Sequence, residues 1–258
     1  MANEVVKFNN DMNTVALRKF NSTEINLLMS ICSRVRDQDL KYVEFDFNYL
    51  KTLIKYPYND INSFVNTLDS AYNKLLKCNI RIGNDIKWTR FVLFTKYTID
   101  VENQTVTIGV NEEFKYVLNE LTSNFTRFEL EEFVDFKSTY TKEFYRRMKQ
   151  FKYTGVWIVS IEEFKNFLDI PQNYKIDTID KKVFKPIMNE LGKEFNLKII
   201  KKYKKVVVFI NRCVAYQEHL RIWKDFLCII KCSFYTNFYR FNSINRKKVQ
   251  KACSKFTI

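Results

Sequence analysis

A short stretch near residue 46 recurs 114 positions further along the chain, in the same order of residue types. Asp46, Phe47, Leu50, Leu53, Ile54 and Pro57 match Ser160, Ile161, Phe164, Phe167, Leu168 and Pro171. Each copy combines a helix N-cap residue, apolar residues at helical spacing and a terminating proline. A second match at an offset of 116 aligns Leu68, Tyr72 and Leu75 with Phe184, Met188 and Leu191. The pattern predicts two similar domains, the alternative being two unrelated amphipathic helices.

The first copy lies within a run of helices and short strands. Ser22 or Thr23 is predicted to cap a first helix, residues 43–47 alternate as a half-buried strand, and residues 60–78 form a longer amphipathic helix. Two β-rich runs, 91–99 and 105–110, follow. The residues between them suit a hairpin turn whose acidic tip is unsuited to phosphate.

Residues 111–135 separate the two copies. They contain seven acidic and two basic residues but neither Pro nor Gly. A segment of this composition is more typical of a helical connector than of a flexible linker. We therefore expect the domains to meet at an acidic connector, 121–135.

The second copy repeats the order of elements with basic surfaces. Its first helix has an apolar face of Tyr140, Phe144, Met148 and Phe151. The opposite face carries Lys142, Arg146, Arg147 and Lys149, and is predicted either to be solvated or to lie along a phosphate backbone. A short strand, 156–159, and a helix capped by Ser160 come next.

The following helix has a clear buried stripe and a basic outer face. Asp177 or Asp180 is its expected N-cap, and the stripe repeats every four residues: Ile179, Val183, Ile187 and Leu191. Lys181, Lys182 and Lys185 then face away from the core. Pro186 predicts either a kink or a division into two shorter helices, 178–185 and 187–195.

Two apolar runs, 197–200 and 206–210, bracket four lysines: Lys201, Lys202, Lys204 and Lys205. This predicts a β-hairpin with a basic tip that either contacts phosphates or is a solvated turn. Lysine at such a tip supplies affinity and salt dependence, whereas base recognition needs a helix or an arginine elsewhere.

Helix, short strand, two helices and a β-hairpin is the order of elements in a winged helix, a fold used chiefly to bind DNA. The fold class is therefore α+β and mainly helical, with two tandem winged-helix domains related by an internal repeat and a basic C-terminal extension. We place the domains at 1–120 and 136–212, the connector at 121–135 and the extension at 213–258.

Charge is divided unevenly between these parts. Residues 1–135 carry 16 Lys or Arg against 19 acids, whereas residues 136–258 carry 27 against 10. This asymmetry indicates a polyanion-binding module joined to a differently employed domain, the alternative being a basic surface that serves only solubility. The extension mixes nine basic residues with aromatics, which bind single strands by stacking or simply form a core.

Several functional classes find no support in the sequence. Four glycines and no GxxxxGK motif argue against an ATP-driven enzyme, and a single histidine, His219, argues against a paired-histidine nicking site. The spacing of His219, Cys228 and Cys232 matches no structural zinc pattern. No membrane-spanning stretch or signal pattern occurs, and the six cysteines form no CxxC pair. We expect a cytoplasmic protein with reduced thiols, no catalytic residues, no metal and no cofactor.

Three segments resemble a known family. The run from Phe136 to Arg147, FKSTYTKEFYRR, is similar to a motif of iteron-type plasmid replication initiators, the Rep_3 or RepB-like family. The segment from Trp157 to Pro171 resembles that family's strand and helix. The segment from Val183 to Leu191, with its internal proline, resembles the family's recognition helix. The likeness extends over residues 4–212, less specifically near the N-terminus.

This resemblance implies a bacterial initiator that binds repeated double-stranded origin sequences (iterons), opens adjacent AT-rich DNA and recruits the host initiator and helicase. It also implies a dimer that represses its own gene. The second domain would read the groove with Lys181, Lys182 and Lys185, hold phosphates with the hairpin lysines and place Arg146 and Arg147 near the backbone. Dimerisation and secondary DNA contacts, with Lys87 and Arg90 as candidates, would fall to the first domain. The alternatives are a tandem winged-helix repressor and a DNA-nicking enzyme.

Overall fold

The computed structural model describes residues 4–15, 17, 19–36, 42–119, 121–202 and 205–210. All of them belong to one compact unit, Met1–Asn211. The predicted basic extension at 213–258 lies outside the described residues. So do four of the six cysteines, whereas Cys32 and Cys78 are free thiols buried in the core, as expected.

The first half contains the predicted helices, short strand and wing together with further strands. In chain order they are β1 (Val5–Asn9), a 3-10 turn (Asn10–Thr14), α1 (Ser22–Val35), β2 (Tyr42–Asp46), α2 (Phe47–Leu53), α3 (Ile61–Leu75), β3 (Asn79–Gly83), β4 (Trp88–Val92), β5 (Phe94–Asp100), β6 (Thr105–Val110), a second 3-10 turn (Glu112–Phe114) and α4 (Lys115–Leu118).

The second half contains β7 (Phe125–Glu129), α5 (Leu130–Val134), α6 (Thr139–Gln150), β8 (Val156–Ser160), α7 (Ile161–Phe167), α8 (Ile176–Ile179), a π turn (Asp180–Phe184), α9 (Lys185–Leu191), β9 (Lys198–Lys202) and β10 (Lys205–Phe209).

Two three-stranded sheets share one topology. Their strand orders are β2-β6-β5 and β8-β10-β9, so in each the short first strand pairs with the last strand of the hairpin. The registers also correspond, because Asp46 opposes Thr105 and Ser160 opposes Lys205 at the first residue of the hairpin's second strand. Each sheet is accompanied by three helical elements, α1, α2 and α3 or α6, α7 and α8–α9. This is the arrangement of a winged helix, present twice.

The helix starts of the two copies are the same. The Asp46 carboxylate accepts the Tyr49 N–H at 2.9 Å, and the Ser160 hydroxyl accepts the Glu163 N–H at 3.1 Å. Each bond satisfies a backbone donor that a helix leaves unpaired in its first turn. Both predicted N-caps are confirmed.

The helix ends correspond as closely. Tyr56 N–H donates to Lys51 O and Ile170 N–H to Lys165 O, with the intervening Lys55 and Asp169 at φ 51° and 53°. A left-handed residue enclosed by an N–H bond to the carbonyl five residues back is a Schellman termination. The bonds from Ile54 N–H to Leu50 O and from Lys55 N–H to Thr52 O also recur, as Leu168 to Phe164 and Asp169 to Asn166. Three backbone hydrogen bonds at this helix end therefore repeat at the offset of 114, and they establish the internal repeat as structural.

The segment predicted as a helical connector, 121–135, is only partly helical, because its first part forms the strand β7. β7 pairs antiparallel with β1 along its whole length, from Val5 opposite Glu129 to Asn9 opposite Phe125. The α5 helix follows directly. The prediction failed because the partner strand is about 120 residues away, a pairing that local composition does not encode.

Two predicted caps are also wrong. The α1 helix begins at Asn21, whose amide oxygen accepts the Glu24 N–H at 2.9 Å while the Glu24 carboxylate accepts the Asn21 N–H at 2.8 Å. Neither Ser22 nor Thr23 is the N-cap, because Asn21 forms a complete capping box one residue earlier. The α8 helix starts at Lys175 with no side-chain cap, and Asp177 lies in its first turn.

The predicted strand at 91–99 is divided in two. Leu93 lies between β4 and β5, where its N–H donates to Cys78 O at 3.1 Å and its carbonyl accepts from Asn111 at 3.0 Å. The division creates a separate β3–β4 hairpin ahead of the predicted wing. That wing, β5–β6, is confirmed, and its turn exposes the acidic residues as expected.

Candidate nucleic-acid interface

The outer face of the α8–α9 segment is the strongest candidate for DNA contact. Its core stripe is fully buried: Ile179, Val183, Ile187 and Leu191 all have 0% exposure. Lys181, Lys182 and Lys185 are exposed on the other side, as predicted. The Lys182 ammonium lies 5.1 Å from the Tyr174 ring centroid, which orients that side chain without neutralising its charge.

Pro186 is accommodated by a local widening of the helix. Residues 180–184 form a π turn, and the Lys185 N–H donates to Asp180 O, five residues back. A proline has no N–H and its ring collides with the preceding turn, so the ladder changes register just before it. The helical backbone continues through this point, and the predicted division into two separate helices is therefore wrong.

Lysines of the β9–β10 wing are less uniform than predicted. β9 extends to Lys202 and β10 begins at Lys205, so Lys201 lies within a strand and not at the tip. The Lys201 ammonium pairs with the Asp180 carboxylate and lies 5.5 Å from the Phe184 ring centroid. This ion pair attaches the wing to the π turn and offsets the Lys201 charge. Lys204 and the side chain of Lys202 lie outside the described residues.

Arg146 and Arg147 do not form a DNA-facing surface. Arg146 is 1% exposed, pairs with Glu143 at 2.9 Å and donates to Met12 O at 2.7 Å. Arg147 donates to Asn13 O and lies 4.3 Å from the Phe167 ring centroid. Both guanidinium groups bind carbonyls of the first 3-10 turn. The predicted contact with the DNA backbone is therefore wrong, because the N-terminal segment covers this face of α6.

Lys142 is buried on the same helix. Its ammonium donates to Phe133 O at 2.7 Å, at the end of α5, and lies 4.6 Å from the Phe133 ring centroid. Burial lowers the Lys142 pKa from 10.5 to about 7. The side chain therefore serves to close α5 against α6, and is not available to a ligand.

The α3 helix of the first copy occupies the position that α8–α9 has in the second. Its buried face is the predicted one, with Phe64, Leu68, Tyr72 and Leu75 nearly inaccessible. The opposite face is exposed and amide-rich, with Asn62, Asn66, Asp69 and Asn73 at helical spacing. Lys74 is not part of it, because its ammonium pairs with Glu24 at 2.7 Å. Sequence analysis missed this asparagine face, although the opposite apolar stripe defines it.

The two basic candidates of the first domain lie on the β3–β4 hairpin. Lys87 ends the turn, and Arg90, in β4, donates to the Asn79 amide oxygen at 2.7 Å. Both side chains are exposed. The structure thus places them on a separate hairpin ahead of the wing.

The described residues hold no group of three or more His, Cys, Asp or Glu side chains suited to a metal ion. Within the same ranges, no helix is both long and apolar enough to cross a membrane.

Comparison with known families accounts for both halves of this architecture. Residues 5–149 match the profile described as "Initiator Replication protein, WH1", and residues 160–210 match "Initiator Rep protein, WH2". The chain is also 42% identical over 208 residues to "Probable replication protein rep" of Bifidobacterium longum (strain NCC 2705). The match covers 80% of this chain and 70% of that protein.

The fold has a counterpart among solved structures. It is similar to a chain in "Crystal structure of Pi initiator protein in complex with iteron DNA", with a TM-score of 0.64 at 12% identity. The similarity covers 83% of this chain and 99% of that one. The molecule thus has the fold of a tandem winged-helix protein.

Within that class the profile matches are decisive, since together they span nearly all of the described residues. This chain belongs to the family of initiator replication proteins with two winged-helix domains.

Proposed function

We propose that this initiator binds repeated double-stranded DNA sequences at a plasmid origin as a monomer, with both winged-helix domains on one repeat. The observation that carries the proposal is the pair of topologically equivalent recognition elements, α3 and α8–α9, exposed on one chain. The similar solved structure supports the choice of ligand, since the Pi initiator is described in complex with iteron DNA.

The two recognition elements differ in chemistry, and this favours direct repeats over a palindrome. The α8–α9 face is lysine-rich, whereas the α3 face is asparagine-rich. A monomer that reads two half-sites with unlike faces requires an asymmetric site. A palindrome mirrors a two-fold dimer with identical faces.

The lysine face suits strong binding to DNA with little discrimination between bases. Lys181, Lys182 and Lys185 attract phosphates and can donate to guanine edges, yet they lack the bidentate geometry of arginine. The asparagine face complements it, because an Asn side chain pairs with adenine N6 and N7 in the major groove. Asn62 and Asn66 are suited to this role because both lie on the exposed side of α3.

We further propose that the second domain supplies most of the DNA affinity. It carries the net positive charge, and its helix and wing are both basic. The first domain would then contribute adenine recognition, with Lys87 and Arg90 as further phosphate contacts. Family membership supports extending the role to opening of AT-rich DNA, recruitment of the host initiator and helicase, dimer formation and repression of its own gene, in the bacterial cytoplasm.

Selection of binding sites from random duplex DNA tests the proposal. Purified protein should enrich an asymmetric motif of about two helical turns, roughly 20 base pairs, that recurs in tandem beside its own gene. A single palindrome would instead identify a repressor. Absence of any enriched motif would reduce the protein to a non-specific nucleic-acid binder.

The enzymatic alternative has its own test. Supercoiled plasmid carrying the selected repeats is incubated with the protein and Mg²⁺ or Mn²⁺, and the topological forms are separated on a gel. An initiator that acts by binding leaves the plasmid supercoiled. Accumulation of nicked circles would contradict a purely binding role.

A further inference from the structure

The β3–β4 hairpin presents an exposed face that neither recognition element uses. Its inner residues pack towards the core, with Ile80 buried and Ile82 and Phe91 half-buried. The outer side chains project into solvent, and they alternate with the inner ones as a half-buried ribbon requires. The outer face consists of Asn79, Arg81, Trp88, Arg90 and Val92.

This face is strongly cationic within an acidic domain. Residues 77–92 contain four of the 16 basic residues of segment 1–135 but one of its 19 acids. Arg81 and Arg90 are direct cross-strand partners, an arrangement of like charges that destabilises a ribbon. The acid is Asp85, which is fully exposed and 3.3 Å from Arg81. A two-stranded ribbon that retains facing arginines is suited to an anionic partner.

An exposed tryptophan lies between these charges. Trp88 is 54% exposed, and the Arg81 guanidinium carbon lies 5.0 Å from its ring centroid. Arg81 also donates to Asn84 O at 3.2 Å, which holds the guanidinium over one side of the indole. About half of the Trp88 surface remains accessible. An open indole face flanked by arginines is the pairing of stacking platform and phosphate contacts by which proteins hold unpaired bases.

We propose that the outer face of the β3–β4 hairpin binds single-stranded nucleic acid. An unpaired base stacks on Trp88, and the flanking phosphates contact Arg81, Arg90 and Lys87. Duplex DNA is the poorer ligand, because its bases are already stacked on one another and present only edges. Reading of duplex repeats by α3 and α8–α9 does not involve Trp88, whereas Lys87 and Arg90 are the phosphate contacts proposed above for duplex DNA and would serve either ligand.

Charge argues against a second copy of the chain as the occupant. A two-fold contact through this face would place the same residues of both copies together. It would thus bring Arg81 and Arg90 of one copy against those of the other, with Asp85 alone to offset them. Nucleic acid supplies the opposite charge and the aromatic faces at the same time.

Binding of a fluorescein-labelled 20-residue oligothymidylate, measured by anisotropy at low salt, tests the proposal. Trp88→Ala should weaken binding about tenfold, in line with the removal of one stacked base. Arg81→Ala/Arg90→Ala should weaken it and flatten its salt dependence. Tyr116→Ala is the matched control, since Tyr116 is 55% exposed in the same domain, and it should bind like the parent chain.

A duplex of mixed sequence and equal length separates this face from the duplex-reading surfaces. Trp88→Ala should leave duplex affinity within about twofold of the parent chain. Equal losses on both ligands, or no loss on oligothymidylate, would overturn the proposal. Sedimentation velocity of Trp88→Ala adds a further arm, because a shift in the monomer–dimer balance with unchanged oligothymidylate binding would assign the face to self-association. Far-UV circular dichroism confirms that the variants are folded.

Discussion

At the scale of single residues, the charged side chains of α6 are structural. Arg146 and Arg147 hold carbonyls of Met12 and Asn13, and Glu143 balances Arg146 inside the core. Such groups are costly to bury and are retained in the fold because each is paired. Their positive charge therefore says nothing about DNA, although the sequence alone suggests the reverse.

Replacing Arg146 with Met should destabilise the fold and spare DNA binding. The change leaves Glu143 buried without its partner, and we expect a decrease of about 3–5 kcal/mol in the free energy of unfolding by urea. The salt dependence of DNA binding below the unfolding transition should not change. A weaker salt dependence of DNA binding together with unaltered stability would instead show that Arg146 contacts DNA.

Lys142 gives the stability of the fold a characteristic pH dependence. Its pKa is about 7 in the folded chain and near 10.5 when unfolded, so between these values the unfolded chain binds more protons. Stability should therefore rise with pH from about 7 to 10, by at most about 1.4 kcal/mol per unit. Lys142→Met should flatten this rise, as urea unfolding at pH 7, 8.5 and 10 would show. An equal slope in both proteins would assign the dependence to another group.

At the scale of elements, the proposed function gives the α8–α9 segment and the β9–β10 wing separate roles. The segment exposes three lysines opposite a dry stripe, whereas the wing is attached to it through Asp180 and Lys201. Position in a groove is thus expected from the helix, and general affinity from the wing.

Changing Lys181, Lys182 and Lys185 together to Ala should abolish preference for the selected site over random duplex, because these side chains form the exposed face of the helix. Competition binding against both duplexes measures the ratio. The matched control replaces three exposed lysines elsewhere, Lys96, Lys137 and Lys152. If the control reduces preference to the same degree, the effect is one of net charge and the helix is not the reading element.

The wing lysines should act on affinity. Changing Lys201, Lys202, Lys204 and Lys205 to Ala should weaken binding to all duplexes and lower the slope of log K against log salt by about 0.9 for each phosphate that is no longer neutralised. Lys201→Ala alone should lower the slope by much less, because Asp180 already neutralises that side chain. If Lys201→Ala alone lowered the slope by about 0.9, the Lys201–Asp180 ion pair would have to break when the protein binds DNA.

At the scale of the whole molecule, two copies of one domain have diverged in surface chemistry while their backbones remained equivalent. The caps at Asp46 and Ser160 and the left-handed residues Lys55 and Asp169 fix the same path for the second helix in both copies. The exposed faces that follow are unlike. Under the proposed function, one chain would therefore read an asymmetric site without a partner.

Asn62→Ala/Asn66→Ala should relax the selected motif at A·T pairs in one half-site and leave the other half unchanged. Each bidentate Asn–adenine pair contributes about 1–3 kcal/mol of discrimination. Repeating the site selection with the variant shows which positions become less specific. The matched control is Asn48→Ala, at an exposed position of α2. Uniform weakening across both halves would contradict base recognition by α3.

Local patterns predicted the repeat, the winged-helix order, the buried stripes and the lysine face, because these depend on neighbouring residues and helical period. They did not predict the β1–β7 pairing or the burial of Arg146 and Arg147. Both come from the N-terminal segment folding back over residues more than a hundred positions away. The Asn21 cap was missed for a different reason. Asn21, Ser22 and Thr23 are adjacent, and all three are residue types that cap helices.

The π turn explains a detail of the sequence that helical geometry alone does not. A stripe repeating every fourth residue drifts by about 40° per step around an ordinary α-helix, and by about 120° from Ile179 to Leu191. All four members are nevertheless completely buried. The widened turn at Asp180–Phe184 absorbs part of that rotation. The π turn takes five residues through roughly the rotation that four residues cover in an α-helix, so it brings the later members of the stripe back towards the core side. The extra residue thus sets the angle around the helix axis between the buried stripe and the exposed lysines.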